Sequence, residues 1–276
     1  MSDPIFPPEI EQIIFENALA LKLKGLDDNG LNLLLVAKRF HTWLIPKVME
    51  TVVVLTARTK YKWEITSLEK YGKHTRNLLL WINLYHDQDC PAERYLTNCP
   101  NVTNLVLWVD YVDVPLKEAA RLKIPLSQLS IDLEGVTEIT PELTQLFSKI
   151  THLESLGTLD SETELAPLRQ FTCLTHLSIP ETSNQGLVPT LFSLLPSLQV
   201  LVLSLIGSRS CLMGPDGSFD PKSDDPRIVR MAWQSGKEVQ EWLLDIQEGR
   251  GMWGLADEAV WERKRRKEDY EGNREK

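Results

Sequence analysis

A short apolar signature returns along this chain about every two dozen residues, and no other feature constrains the fold as tightly. It reads Val102-Thr-Asn-Leu105-Val-Leu107, then Leu126-Ser-Gln-Leu129-Ser-Ile131, Leu153-Glu-Ser-Leu156-Gly-Thr158, Leu174-Thr-His-Leu177-Ser-Ile179 and Leu198-Gln-Val-Leu201-Val-Leu203. The first residues of these copies lie 24, 27, 21 and 24 positions apart. Two weaker copies precede them, Met49-Glu-Thr-Val52-Val-Val54 and Thr75-Arg-Asn-Leu78-Leu-Leu80, at offsets of 26 and 27. The alternating end of each copy is a short strand whose side chains point to opposite faces. A single strand of this kind cannot remove its apolar side from water, so the copies must stack on one another.

The segments between copies supply the return path. Pro141-Glu-Leu143-Thr-Gln-Leu146-Phe147 and Pro189-Thr-Leu191-Phe192-Ser-Leu194-Leu195 place apolar residues at helical spacing after a proline suited to a helix start. Cys99-Pro100-Asn101 and Leu195-Pro196-Ser197 fall at the turn before a strand, where proline is tolerated. The expected architecture is α/β: a solenoid of parallel strands, right-handed as strand crossovers are. The period is similar to that of leucine-rich repeats. The asparagine ladder of regular members is missing, because Asp110, Glu134 and Ile206 stand at its places. The resemblance is therefore to the irregular repeats of F-box/leucine-rich-repeat proteins.

Four segments are expected. Residues 1–50 form a small all-α unit. Pro7-Pro8 precede Ile10, Ile13, Ile14 and Phe15 at helical spacing; Gly25 and Asp27-Asp28-Asn29-Gly30 break the chain; a second helix carries Leu31, Leu34, Leu35 and Phe40. Pro46 is expected to close that helical region ahead of the strand at Val52–Leu55. Residues 51–206 hold the repeats, and 207–226, rich in Gly, Ser, Asp and Pro, are expected to be a flexible loop. Residues 227–276 are expected to give a terminal strand near Arg227–Met231, a helix with Val239, Trp242, Leu243 and Ile246 on one face that caps the open end of the array, and a charged, solvated tail from Trp261.

The N-terminal unit carries a second resemblance. Phe6-Pro7-Pro8-Glu9-Ile10 resembles the "LPxEI" opening of the F-box family, with phenylalanine in place of leucine. Leu34-Leu35-Val36-Ala37-Lys38-Arg39-Phe40 looks like its "L-x-x-V-S/C-K/R-x-F/W" segment, and Trp43-Leu44-Ile45-Pro46 before a valine-rich strand matches the fungal-type form. The stretch from Ala18 to Asn29 is longer and more polar than the family's linker. The resemblance implies docking to a Skp-type adaptor of a cullin–RING ubiquitin ligase through an apolar helical surface. Matching by motif, Pro7, Pro8, Ile10, Ile14, Leu35 and Val36 would be the contacts. The alternative is that these residues, and Ile13, Leu34 and Phe40 still more so, build the internal core of the helical unit.

The repeats offer a second surface. Aligning Leu80-Trp81-Ile82 with Leu107-Trp108-Val109 makes Trp81 and Trp108 neighbours on an open, concave side, in a column extended by Asp132, Leu159, Pro180 and Ser204. Adjacent exposed tryptophans are hot-spot chemistry, so Trp81, Trp108, Asp110 and Asp132 are the candidate client-binding residues. Two alternatives stay open: a C-terminal segment folded over the pair, or a register one residue off that turns both into core.

Other functions are disfavoured. A formal charge of −9 argues against nucleic acid and against an anionic membrane surface as partners. Four cysteines in 276 residues make no disulfide scaffold, and neither a signal peptide nor a run long enough to span a bilayer is visible, so a cytoplasmic or nuclear protein is expected. GxSxG, phosphate-loop, HExxH and CxxC motifs are absent, and no enzyme or cofactor is expected. His86, Cys90 and Cys99 match no zinc spacing, so no metal is expected. His152 and His176 read as repeat-surface residues. The run Arg263-Lys264-Arg265-Arg266-Lys267 reads as a solvated helix face, with nuclear import as the alternative. Acidic candidates on the open side disfavour a phosphate-selective surface, which needs arginine clusters.

Overall fold

The computed structural model describes residues 7, 9–16, 38–55, 61–82, 92–109, 112–159, 162–181, 185–206, 225–233, 239, 242–243, 246 and 251–274. Two helices, α1 (9–16) and α2 (Lys38–Val48), precede the first strand. Helix and strand then alternate: β1 (Thr51–Leu55), α3 (Tyr61–Tyr71), β2 (Asn77–Ile82), α4 (Ala92–Asn98), β3 (Asn104–Val109), α5 (Asp113–Arg121), β4 (Gln128–Ile131), α6 (Pro141–Phe147), β5 (His152–Ser155), α7 (Glu162–Leu165), β6 (His176–Pro180), α8 (Val188–Leu194) and β7 (Val200–Ile206). The edge strand β8 (Ile228–Trp233) and a C-terminal helix (Met252–Arg274) follow. The strands form one parallel sheet in chain order, β1 to β8. Neighbours in sequence are neighbours in space, as a stack of coils requires.

Local chemistry accounts for the return helices. Thr140 caps α6 by accepting the Leu143 N–H, with Pro141 in the first turn. Leu143, Leu146 and Phe147 face the core, where Phe147 stacks on Phe171 of the next coil at 4.5 Å. Helices α3 to α6 pack one against the next and form the outer layer. The helical region at Pro46 runs further than expected: α2 continues to Val48. In the last turn a proline forfeits a single helical bond, and the Met49 N–H still reaches the Ile45 carbonyl at 2.9 Å.

The register corrects the sequence alignment at one copy. Leu105, Leu129, Leu153, Leu177 and Leu201 are successive partners, so four consecutive coils share a uniform 24-residue pitch. The fifth signature therefore begins at Ile150, and β5 ends at Ser155 instead of running through Leu156-Gly-Thr158. Spacing of three fits both Ile150/Leu153 and Leu153/Leu156, and a serine stands where β2, β3, β4, β6 and β7 have leucine or isoleucine. Buried Ser155 is satisfied by donating to the Gly157 carbonyl at 3.0 Å. In consequence Leu156, not Leu159, follows Asp132 in the open-side column, and Leu159 is fully buried in the core.

A column of hydroxyl residues links successive coils. Thr103, Ser127, Thr151 and Thr175 each stand one residue before a strand. The Ser127 carbonyl accepts the Thr151 N–H at 2.9 Å, the His152 N–H at 3.2 Å and the Thr151 hydroxyl at 3.1 Å. The Thr103 and Thr151 carbonyls take the same three donors from the next coil, and the series ends where Gln199 supplies backbone only.

The two faces of the sheet bury different things. Leu105, Leu129, Leu153, Leu177, Leu201 and Ile228 belong to the core shared with the return helices. Val200, Val202, Val229 and Met231 point the other way and form a second cluster with Met252, Ala256, Ala259 and Val260. The C-terminal helix thus lies across the open face through Met252 to Val260, a stretch the sequence did not single out, and from Trp261 to Arg266 its side chains are mostly exposed. Residues 239, 242–243 and 246 are indeed helical and half-buried. The helix touches β5 and β6 at Trp253 and β8 at Arg263, whose guanidinium donates to the Ile228 carbonyl. Ten helical residues rise about 15 Å and three strand spacings span about 14 Å, so the helix crosses nearly perpendicular to the strands.

Candidate protein-binding face

The Trp81 and Trp108 side chains meet on the open face because β2 and β3 pair with both residues opposite each other. Leu78, Leu80 and Ile82 go to the core, which fixes Trp81 on the other side. Trp81 is 42 % exposed and Trp108 half-buried. Their rings meet edge-to-face, 4.8 Å apart at 87°. Such a pair contributes about 0.5–1.5 kcal/mol beyond its buried area. Exposed Leu55 stands beside Trp81 in register, so an apolar row crosses β1 to β3. The register one residue off is excluded, and among the described residues the ring contacts of the C-terminal helix on this face go to His152 and His176, not to the tryptophans.

Asp132 lies next in the row and has structural work as well. Its Oδ1 accepts the Glu134 N–H at 3.0 Å and caps the short turn Leu133–Gly135. Its carboxylate also occupies the space that a side chain at position 157 would need, so any larger residue there would have to displace the Asp132 carboxylate from its cap. Asp110 lies outside the described residues. Further along the column Pro180 and Ser204 are buried, so the exposed part ends near β4 and β5.

At the N-terminus the Pro7 carbonyl accepts the Ile10 and Glu11 N–H groups at 3.0 and 3.1 Å and starts α1. Pro7 is exposed, as are Ile10 (44 %), Ile13 (54 %) and Ile14 (47 %). These isoleucines fall at i, i+3 and i+4 and make one outward stripe. The internal-core alternative therefore does not hold for them, Ile13 included. Pro8, Leu35 and Val36 lie outside the described residues.

Sequence reasoning missed how the covered half of the face is built. His152 and His176 are register partners whose rings stack 4.1 Å apart at 9°. Trp253 stands edge-on over both, at 5.4 and 5.7 Å. His176 Nε2 hydrogen-bonds Asp257 Oδ1 at 2.9 Å, and Nδ1 of His152 and His176 pairs with the hydroxyl of Thr151 and Thr175 at 2.9 and 2.7 Å. Burial pushes the His152 pKa down to about 4; the neighbouring His176 adds to that and Asp257 opposes it. The pair is enclosed and anchors the helix. The visible signal was a Thr-His dipeptide repeated 24 residues on.

The basic run belongs partly to the same anchor. Arg263 is engaged with Ile228, Arg265 lies over the Trp261 ring at 4.9 Å, and Arg266 pairs with Glu262 at 3.2 Å. Burial raises the Cys99 thiol to about 11, which makes it a poor metal ligand; His86 and Cys90 lie outside the described residues. Among the described residues no three His, Cys, Asp or Glu side chains gather as metal ligands would, and no helix is long and apolar enough to cross a membrane. No protein-family model matches the chain, and no curated protein matches it.

Proposed function

We propose that the chain is a non-catalytic substrate receptor of an SCF-type ubiquitin ligase, working in the cytoplasm or nucleus. The F-box-like residues 1–50 dock a Skp-type adaptor and through it the cullin, and the leucine-rich-repeat array holds a client protein. The observation that carries this reading is the outward stripe of Ile10, Ile13 and Ile14 behind Pro7. A soluble helix gains nothing from three adjacent exposed isoleucines, whereas an adaptor groove buries them. The Trp81–Trp108 pair supplies a separate apolar surface for the client, so the two engagements need not compete.

The test is a pull-down of the full chain with a Skp-type adaptor and its cullin. Binding is expected for the wild type. Ile10→Asp with Ile14→Asp is expected to abolish it while leaving the urea midpoint of the repeats in place. An adaptor that fails to bind the wild-type chain removes the ligase role and leaves a repeat scaffold.

A further inference from the structure

A parallel stack brings every segment that follows a strand to one rim of the sheet and every segment that precedes a strand to the other. The sequence exploits this. Among the described residues, those leading out of β3 to β6, at 112, 132–140, 156–159 and 181, include no lysine or arginine and carry Asp132, Glu134, Glu138 and Glu181, of which Glu138 pairs with Lys117 and Glu181 with Arg230. The turns leading into β2 to β7 contain no aspartate or glutamate and carry Lys73, Arg76, Lys123 and Lys149. The exception is the first coil, where Arg58 and Lys60 follow β1. The tryptophans stand at the outgoing ends of β2 and β3, against the acidic rim.

From this placement we infer that the client docks through a basic polypeptide segment bearing an apolar side chain, laid across the outgoing ends of β2 to β4. The inference rests on the receptor reading above and names the class of client. The apolar anchor seats on the Trp81–Trp108 edge, where an arginine can also stack on the exposed ring of Trp81. Asp132 and exposed Glu134 receive the cations. No lysine or arginine lies on the described open-face positions of β1 to β6. The seat is also narrow: Leu79, Val106 and Ser130, at the preceding open-face positions of β2 to β4, are buried, so the exposed apolar surface is the outgoing edge at Leu55, Trp81 and Trp108, and the C-terminal helix occupies β5 to β8.

Two short fluorescein-labelled peptides of equal length test this by anisotropy with the full chain, one of arginine, lysine and leucine, the other of glutamate, aspartate and leucine. The basic peptide is expected to bind and to weaken as salt is raised, and the acidic one is not. Trp81→Ala with Trp108→Ala is expected to weaken the basic peptide about tenfold or more. Glu134→Lys is expected to weaken it several-fold, and Trp81→Phe with Trp108→Phe, which keeps the aromatic faces, to retain most binding. Similar affinity for both peptides, or basic binding that the double alanine variant leaves unchanged at an unchanged urea midpoint, overturns the inference. Adaptor pull-down on the same variants separates the two proposals, because it depends on Ile10 and Ile14 and not on Trp81.

Discussion

The two halves of the open face carry apolar side chains in the same register and treat them in opposite ways. Over β7 and β8, Val200, Val202, Val229 and Met231 are sealed by the C-terminal helix, and the stacked histidines of β5 and β6 lie under Trp253. Over β1 to β3, Leu55 and Trp81 stay half in water. The covering helix uses alanine at its tightest point, Ala256, which is fully buried, and so approaches the sheet closely. Over β2 and β3 Leu79 and Val106 are buried as well, while the outgoing row of Leu55, Trp81 and Trp108 reaches water, its tryptophans packed on each other. Burial by a small-residue stripe makes a permanent contact; burial by large rings leaves one available.

That contrast is broken most forcefully at Ala256. Ala256→Asp puts an unpaired carboxylate between helix and sheet and is expected to cost about 3 kcal/mol or more, read as a lowered urea midpoint. A loss below about 1 kcal/mol would mean that the helix does not seal this face. Leu129→Ala opens the shared core below both halves and is expected to cost about 2–5 kcal/mol. Thr151→Val removes the hydroxyl bond to the Ser127 carbonyl and is expected to cost about 1 kcal/mol. Trp81→Ala should cost no more than that, because its loss is chiefly the edge-to-face contact.

Acidification sharpens the comparison further. His152 titrates from 6.5 in the unfolded chain and about 4 in the folded one, so between those values the unfolded chain binds more protons. The contribution of neutral His152 to stability is complete above pH 6.5 and is lost progressively as the pH falls toward 4. His152→Asn is expected to flatten this part of the melting-temperature profile; an unchanged profile would show that another group governs it. The smallest effect is chemical. Exposed Cys173 should alkylate with iodoacetamide at pH 8 well before buried Cys99, whose thiol stays protonated there.

Much of the fold was legible because strand leucines at a near-constant interval have few ways to leave water. The Trp81–Trp108 neighbourhood followed from that interval alone, and so did α6 and α8, where proline marks the start. Two things were illegible for identifiable reasons. Ser155 replaced a core aliphatic and shifted the apparent strand by three residues, since a hydroxyl buried on a carbonyl looks in sequence like a surface residue. The part of the C-terminal helix ahead of Trp261 escaped notice because its buried face, Met252, Ala256, Ala259 and Val260, is short and partly alanine, while charges crowd the rest. Nor could the sequence tell whether Ile10, Ile13 and Ile14 face inward or outward, because spacing defines a stripe but not its direction.

The shared pitch of the middle coils has a consequence for length. Each coil from β4 to β6 meets its neighbour through the same carbonyl and the same three donors, so excising residues 128–151 would bring the His152 strand under Thr103 with a matching set of partners. Such a segment is an interchangeable cassette. The distance between the tryptophan pair and the helix-covered end is then an adjustable dimension, set by how many cassettes lie between them.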